Sequence, residues 1–220
     1  METRDIAALK TSQVAALTTD QVSSMTTLQV AGMTTAQVAA LTTVQIVQLQ
    51  AADLAALTTD AIVGLSTAQV AELSTAQVAA LTTDQLPAME SRDVAALTTA
   101  HIQALSTDQI RALTTAQIEG LTSAQVVALE TADLAALKTE QIAAIDATDL
   151  ALITTAQLDA LTSVQIAALT TEQIVKLTTE QVASIATAQL QKLTTEQIAA
   201  MQGADVAALT TDQVQALTTA

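Results

Sequence analysis

Leucine, methionine or isoleucine recurs at every eighth position, from Met1, Leu9, Leu17 and Met25 through to Leu209 and Leu217. A second register runs from Ile6 through Val14 and Val22 to Val206 and Val214, and holds only Val, Ile or Leu. The residues between them are Thr, Gln, Ala and scattered acids. The unit is an octad, Leu-Thr-Thr-x-Gln-Val-x-Ala, repeated without a phase slip. The pattern predicts one repetitive domain over residues 1–220, twenty-seven full octads and the partial octad Leu217–Ala220.

An octad does not fit one long helix. Eight residues at about 100° each return roughly 80° past the starting face, so the apolar positions would spiral around the helix instead of forming a stripe. A heptad coiled coil fails by the same arithmetic. Each octad does carry a helix start. In Leu17-Thr18-Thr19-Asp20-Gln21-Val22, Thr18 and Gln21 have the spacing of a capping box, in which hydroxyl and carboxamide each take the other residue's backbone N–H. An N-cap residue has non-helical dihedrals, so the chain bends every eight residues. The expected fold is all-α: a solenoid of very short helices of about six residues, one per octad, around a continuous Leu/Val/Ile core. Pieces this short are unstable alone and must be held by stacking. A β-solenoid is the second choice. Its corners favour Gly, Asn and Asp, whereas this chain places Ala-Ala or Thr-Thr there.

Variation between octads points to a contact. Where the cap Thr or Ser becomes Glu, Gln or Asp, the residue three later is Asp: Glu2/Asp5, Gln50/Asp53, Glu90/Asp93, Glu130/Asp133, Asp146/Asp149 and Gln202/Asp205. The exchange implies direct contact or a shared pocket. Some of these octads could instead cap at the following residue, and the pattern leaves both options open.

Composition narrows the chemistry. The chain has no Cys, Phe, Trp, Tyr or Asn, a single His and a formal net charge of −15. Without Cys there is no disulfide framework or thiolate site. Without aromatics, and with this charge, a nucleic-acid partner is not expected. Half the residues are hydrophobic, which separates the chain from acidic disordered tails. No run is apolar enough for a membrane span. The opening Met-Glu-Thr-Arg-Asp lacks a secretory signal pattern. His101 stands where Gln is usual and reads as one substitution on a polar face. Catalysis or metal binding there would need partners that a one-histidine sequence does not offer. Acids at octad position four, such as Asp20, Asp60, Asp108, Glu140, Glu172 and Asp212, suit the positive end of each short helix. They offer weak divalent-cation binding at most, without an EF-hand loop. No enzyme, cofactor or metal site is expected. The paired Thr residues resemble ice-binding faces, although the first Thr is already used as a cap.

Solenoids need polar caps on their terminal repeats. Here both ends keep their apolar registers, so Met1, Ile6 and Leu9 at one end, and Val206, Leu209, Val214 and Leu217 at the other, are the expected end-to-end assembly surfaces. A head-to-tail contact that does not close builds a filament.

The run Leu-Thr-Thr-x-Gln-Val/Ile-x-Ala-Leu resembles the octapeptide arrays of large, repetitive bacterial surface and secreted proteins, labelled loosely as adhesion or haem-utilisation proteins. The resemblance covers the whole chain and implies a structural role at the cell surface or outside the cell. The expected function is a subunit that polymerises head to tail with itself into an extracellular filament, for matrix, adhesion or cell–cell linkage. The alternative is a monomeric binding rod presenting a Thr/Gln/acidic face to ice, cations or a protein partner.

Overall fold

A computed structural model describes residues 3–217, with side chains placed from Arg4 onward. Among the described residues it contains twenty-seven short helices and no strand, from Thr3–Ala7 to Thr211–Leu217, one per octad and four to seven residues long. The helical solenoid is therefore the fold, and the β alternative is set aside.

The bend between helices explains the composition. Each octad has six residues in or near helical conformation and two in the extended region. In one octad these are Leu41, at φ −63° and ψ 136°, and the N-cap Thr42, at φ −72° and ψ 161°. No described residue has a positive φ. The corner thus needs no left-handed residue, and a Leu-Thr pair makes it without Gly or Asn. The capping box then restarts the helix. At Thr18 the hydroxyl accepts the Gln21 N–H at 3.2 Å, while the Gln21 carboxamide oxygen accepts the Thr18 N–H at 2.8 Å. Satisfying two otherwise orphaned donors every eight residues is what lets one-turn helices persist.

The chain divides into two compact units, Met1–Leu113 and Thr114–Ala220. In the first, helices pack on the third helix along the chain: Thr27–Ala31 on Ala51–Ala56, and Thr75–Ala79 on Thr99–Ala104. In the second, Ala147–Leu150 packs on Thr171–Lys176 and Thr179–Ser184 on Gly203–Ala208 in the same way. Both registers point inward in each unit. Val22, Ile46, Leu54 and Ile102 are fully buried in the first, as are Leu134, Ile142 and Ile166 in the second, with Leu41, Leu73, Leu137 and Leu177 beside them.

Candidate assembly surfaces and the glutamine clamp

From Gln37 onward the fifth octad position, usually Gln, is buried. Gln37, Gln69, Gln77, Gln117 and Gln173 lie among the core residues, not on a polar face. A carboxamide can stay there when its hydrogen-bonding capacity is used. Gln77 shows the pattern. Its Oε1 accepts the Ser74 N–H at 2.8 Å, within its own octad. Its Nε2 donates one coil back, to the carbonyls of Ile46 at 3.0 Å and Leu49 at 2.9 Å. Gln37 holds Ile6 and Leu9 in this way, and Gln69 holds Val38 and Leu41. In the second unit, Gln173 holds Ile142 and Ile145, and Gln181 holds Leu150 and Ile153. The acceptors lie 31 and 28 residues earlier, across the corner between two octads. A coil therefore takes between three and four octads.

The octads without Gln resolve the covariation. Gln50, Glu90, Glu130 and Gln202 remain N-caps but make no side-chain cap bond, so the cap does not move to the next residue. Instead the Asp serves the cap: Asp53 accepts the Gln50 N–H at 3.1 Å and Asp205 the Gln202 N–H at 3.1 Å. The second Asp oxygen turns to the preceding coil, where Thr27 donates to Asp53 at 2.8 Å and Thr179 to Asp205 at 2.9 Å. Ser123 donates likewise to Asp149. A carboxylate has no amide to send back, and in one octad the long cap residue supplies it: Gln202 Nε2 donates to the Val175 carbonyl at 2.8 Å. There the paired residues share the two jobs of one glutamine. Asp146 differs, capping its own helix by accepting from Thr148 and Asp149 N–H groups. The Thr148 side chain and backbone N–H hold its exposed carboxyl below the usual carboxylate range. At Asp93, burial raises the carboxyl while Arg92 pulls it down and Glu90 pushes it up. Its buried Oδ1 has no hydrogen-bond partner, only the Arg92 Nε at 4.0 Å.

His101 is not on the polar face that its sequence position suggests. It is buried in the clamp position. Nδ1 accepts the Thr98 N–H at 3.2 Å, and the ring also bonds the Leu73 carbonyl, 28 residues earlier. Imidazole here reproduces the donor–acceptor pair of glutamine, and burial lowers its basicity.

The position-four acids Asp20, Asp60, Asp108, Glu140, Glu172 and Asp212 are exposed. An open groove of about 650 Å³ in the second unit is lined by Glu119, Asp146 and Glu172 together with Thr170, Thr171, Gln173, Ile145 and alanines. Among the described residues, no group of three or more acids and histidines is arranged to hold a metal ion. No described helix is long and apolar enough to cross a membrane.

The end coils are exposed in opposite ways. In the first coil, register six stays covered: Ile6, Val14 and Val22 are buried, while Leu9, Leu17 and Met25 of register one are half-exposed around a shallow apolar dish. In the last coil register six opens, with Val206 at 46% and Val214 at 45% exposure and Ile198 half-exposed. Leu209 and Leu217 are half-buried, and Met1 lies outside the described residues. Register one is therefore covered by the coil before it and register six by the coil after it. Leu17, Met25 and Ile198 belong to these surfaces. Every octad offers the same apolar letters at those positions, so no local signal marks them.

The repeat carries a recognisable signature. A family model described as the ALTTAQ repeat matches residues 1–35, 46–83, 86–123, 126–163, 142–179 and 182–219. The chain belongs to the ALTTAQ repeat family. No curated protein matches it. In an ALTTAQ octad, the Thr and Gln of the family's name are the two halves of the capping box. The Gln is also the clamp between coils.

Proposed function

We propose that this ALTTAQ repeat chain is a structural, non-catalytic subunit that joins head to tail with copies of itself. The resulting filament works at the cell surface or outside the cell, in matrix, adhesion or cell–cell linkage. One observation carries the reading: the first coil exposes register one and the last coil exposes register six, the two sets that cover each other everywhere inside each unit. Leu9, Leu17 and Met25 of one copy are thus complementary to Ile198, Val206 and Val214 of the next. Such a contact is heterologous and extends without closing unless the rotation completes a ring. Electron microscopy and sedimentation of the purified chain test it. Fibres that lengthen with concentration are the expected result, and monodisperse short particles at high concentration would remove the reading.

The exposed position-four carboxylates favour a second reading, a monomer that binds cations or a basic partner through them. Its ice-binding version is weakened where Thr hydroxyls are engaged, Thr18 in its cap and Thr27 and Thr35 on the next coil. Filaments that form equally well with and without a divalent cation would separate assembly from this second use.

A further inference from the structure

Gln37 and later clamp glutamines find their acceptors one coil back, but two earlier ones do not. The Oε1 atoms of Gln13 and Gln21 serve their own caps, accepting from Lys10 and Thr18 N–H at 2.8 Å each. Their side chains are exposed, and no described carbonyl accepts from either Nε2. Each therefore presents two amide hydrogens on the first coil, Gln21 in the dish that Leu9, Leu17 and Met25 line and Gln13 one octad earlier. At the other end, the last clamp is Gln213, whose Nε2 reaches the carbonyls of Ala183 and Ile185 at 2.9 and 2.8 Å. The corner carbonyls beyond it, Leu190 with Leu193, Ile198 with Met201, and Val206 with Leu209, have the sequence positions of clamped pairs, with Met201 and Leu209 in the corner conformation, but receive no glutamine from a described residue. Donors and acceptor pairs each recur every eight residues, so two clamps can close in one register.

We infer that the partner of the first coil is the last coil of a second copy of this chain, joined by the Gln13 carboxamide donating to the Ile198 and Met201 carbonyls and the Gln21 carboxamide to those of Val206 and Leu209. This inference rests on the head-to-tail reading and adds what sets the register of the joint. Apolar faces alone can slide by an octad or pair with any greasy surface. A carboxamide that must meet two carbonyls admits a partner whose backbone turns a Leu-Thr corner at the right height, and leaves an unsatisfied polar group against others.

The test uses the full chain with Gln13→Glu and Gln21→Glu together, which keep side-chain length and the oxygen that accepts the Lys10 and Thr18 N–H, and remove the amide donors. Both positions are exposed in the free chain and keep their capping bond, so its circular dichroism and melting temperature at low concentration should match wild type. The concentration for half-assembly, read by sedimentation or light scattering, should rise about tenfold or more. Wild-type chain that assembles, with a folded variant that assembles equally well, overturns the clamp and leaves end-to-end growth standing. Wild-type chain that never assembles overturns the reading beneath it. A second variant, Val206→Glu, removes apolar contact and leaves the amides. If it blocks assembly while the double Glu variant does not, the joint is apolar only and the clamp is overturned.

Discussion

His101 takes the backbone N–H of Thr98 on its Nδ1 atom at 3.2 Å, which only an unprotonated nitrogen can do. With the ring also bonded to the Leu73 carbonyl, the imidazole is held neutral between two coils. The Thr75–Ala79 helix packed against it carries no charged residue, and Glu72 before it is exposed. Burial places the folded-state basicity below the ordinary value of 6.5. Stabilisation from this group is full above pH 6.5 and falls as pH drops from there through the folded-state value, because the unfolded chain takes up the proton more readily. His101→Gln restores the usual clamp and should remove this component. Melting temperatures of the two proteins should diverge below pH 6.5, wild type falling faster. Parallel curves would show that the ring opens to solvent without cost.

Gln77→Met should destabilise the first unit by about 2–4 kcal/mol, since the Ser74 N–H and two carbonyls lose their partner at a buried site. The same change at exposed Gln13 should cost about 1 kcal/mol or less in the unassembled chain, since water can take over the Lys10 N–H. Chemical denaturation of both variants measures the contrast. Equal costs would mean that the capping half of the bond, not the clamp, dominates.

Two glycines should respond oppositely to alanine. The carbonyl oxygen of Thr35 occupies the space a Cβ on Gly64 would take, so Gly64→Ala must push two backbones apart, at about 1–3 kcal/mol. The coils come this close where Ala61 replaces the clamp glutamine and the Thr35 hydroxyl donates directly to the Asp60 carbonyl at 2.8 Å. Gly203 has nothing within 4 Å of a built Cβ and opens the helix Gly203–Ala208. Gly203→Ala should stabilise by about 0.4–1 kcal/mol. Thermal melts of the two variants should shift in opposite directions.

Gln202 and Asp205 should behave as a unit. Asp205→Gln alone sends a second amide toward carbonyls beside the one Gln202 already holds, and removes the oxygen that Thr179 uses. Gln202→Thr alone leaves the Val175 carbonyl without its donor. Each single change should cost stability, and the double change, which rebuilds the common octad, should recover most of it. A double-mutant cycle measures the coupling, about 1 kcal/mol or more. Strict additivity would show that the two residues vary independently.

The helices are legible in the sequence because their cause is local. Thr18 and Gln21 meet three residues apart, and such a spacing can be read from any single octad. The apolar registers are legible for the same reason. The burial of Gln77 is not, because its partners at Ile46 and Leu49 lie a full coil away. With between three and four octads per coil, no repeat of the eight-letter unit points to them. His101 is misread for the same cause, as a polar letter between Ala100 and Ile102 looks exposed until the coil beneath it is known. The covariation at Gln202 and Asp205 does signal proximity, but it reads as a bond inside one capping box, whereas the exchange is mostly between neighbouring coils. At the ends, Ile6 and Leu9 are equivalent apolar letters. Only the stacking direction shows that Ile6 is covered by a later coil, whereas Leu9 would need an earlier one.

The glutamine clamps also have an arrow. Gln37, Gln69, Gln77, Gln173 and Gln181 all reach toward residues 28 to 31 positions earlier. A chain made from its N-terminus therefore lays down the acceptors before the donors that need them. Each new glutamine emerges to find its two carbonyls already in place, and the coil that brings it covers the register-six side chains of the coil before.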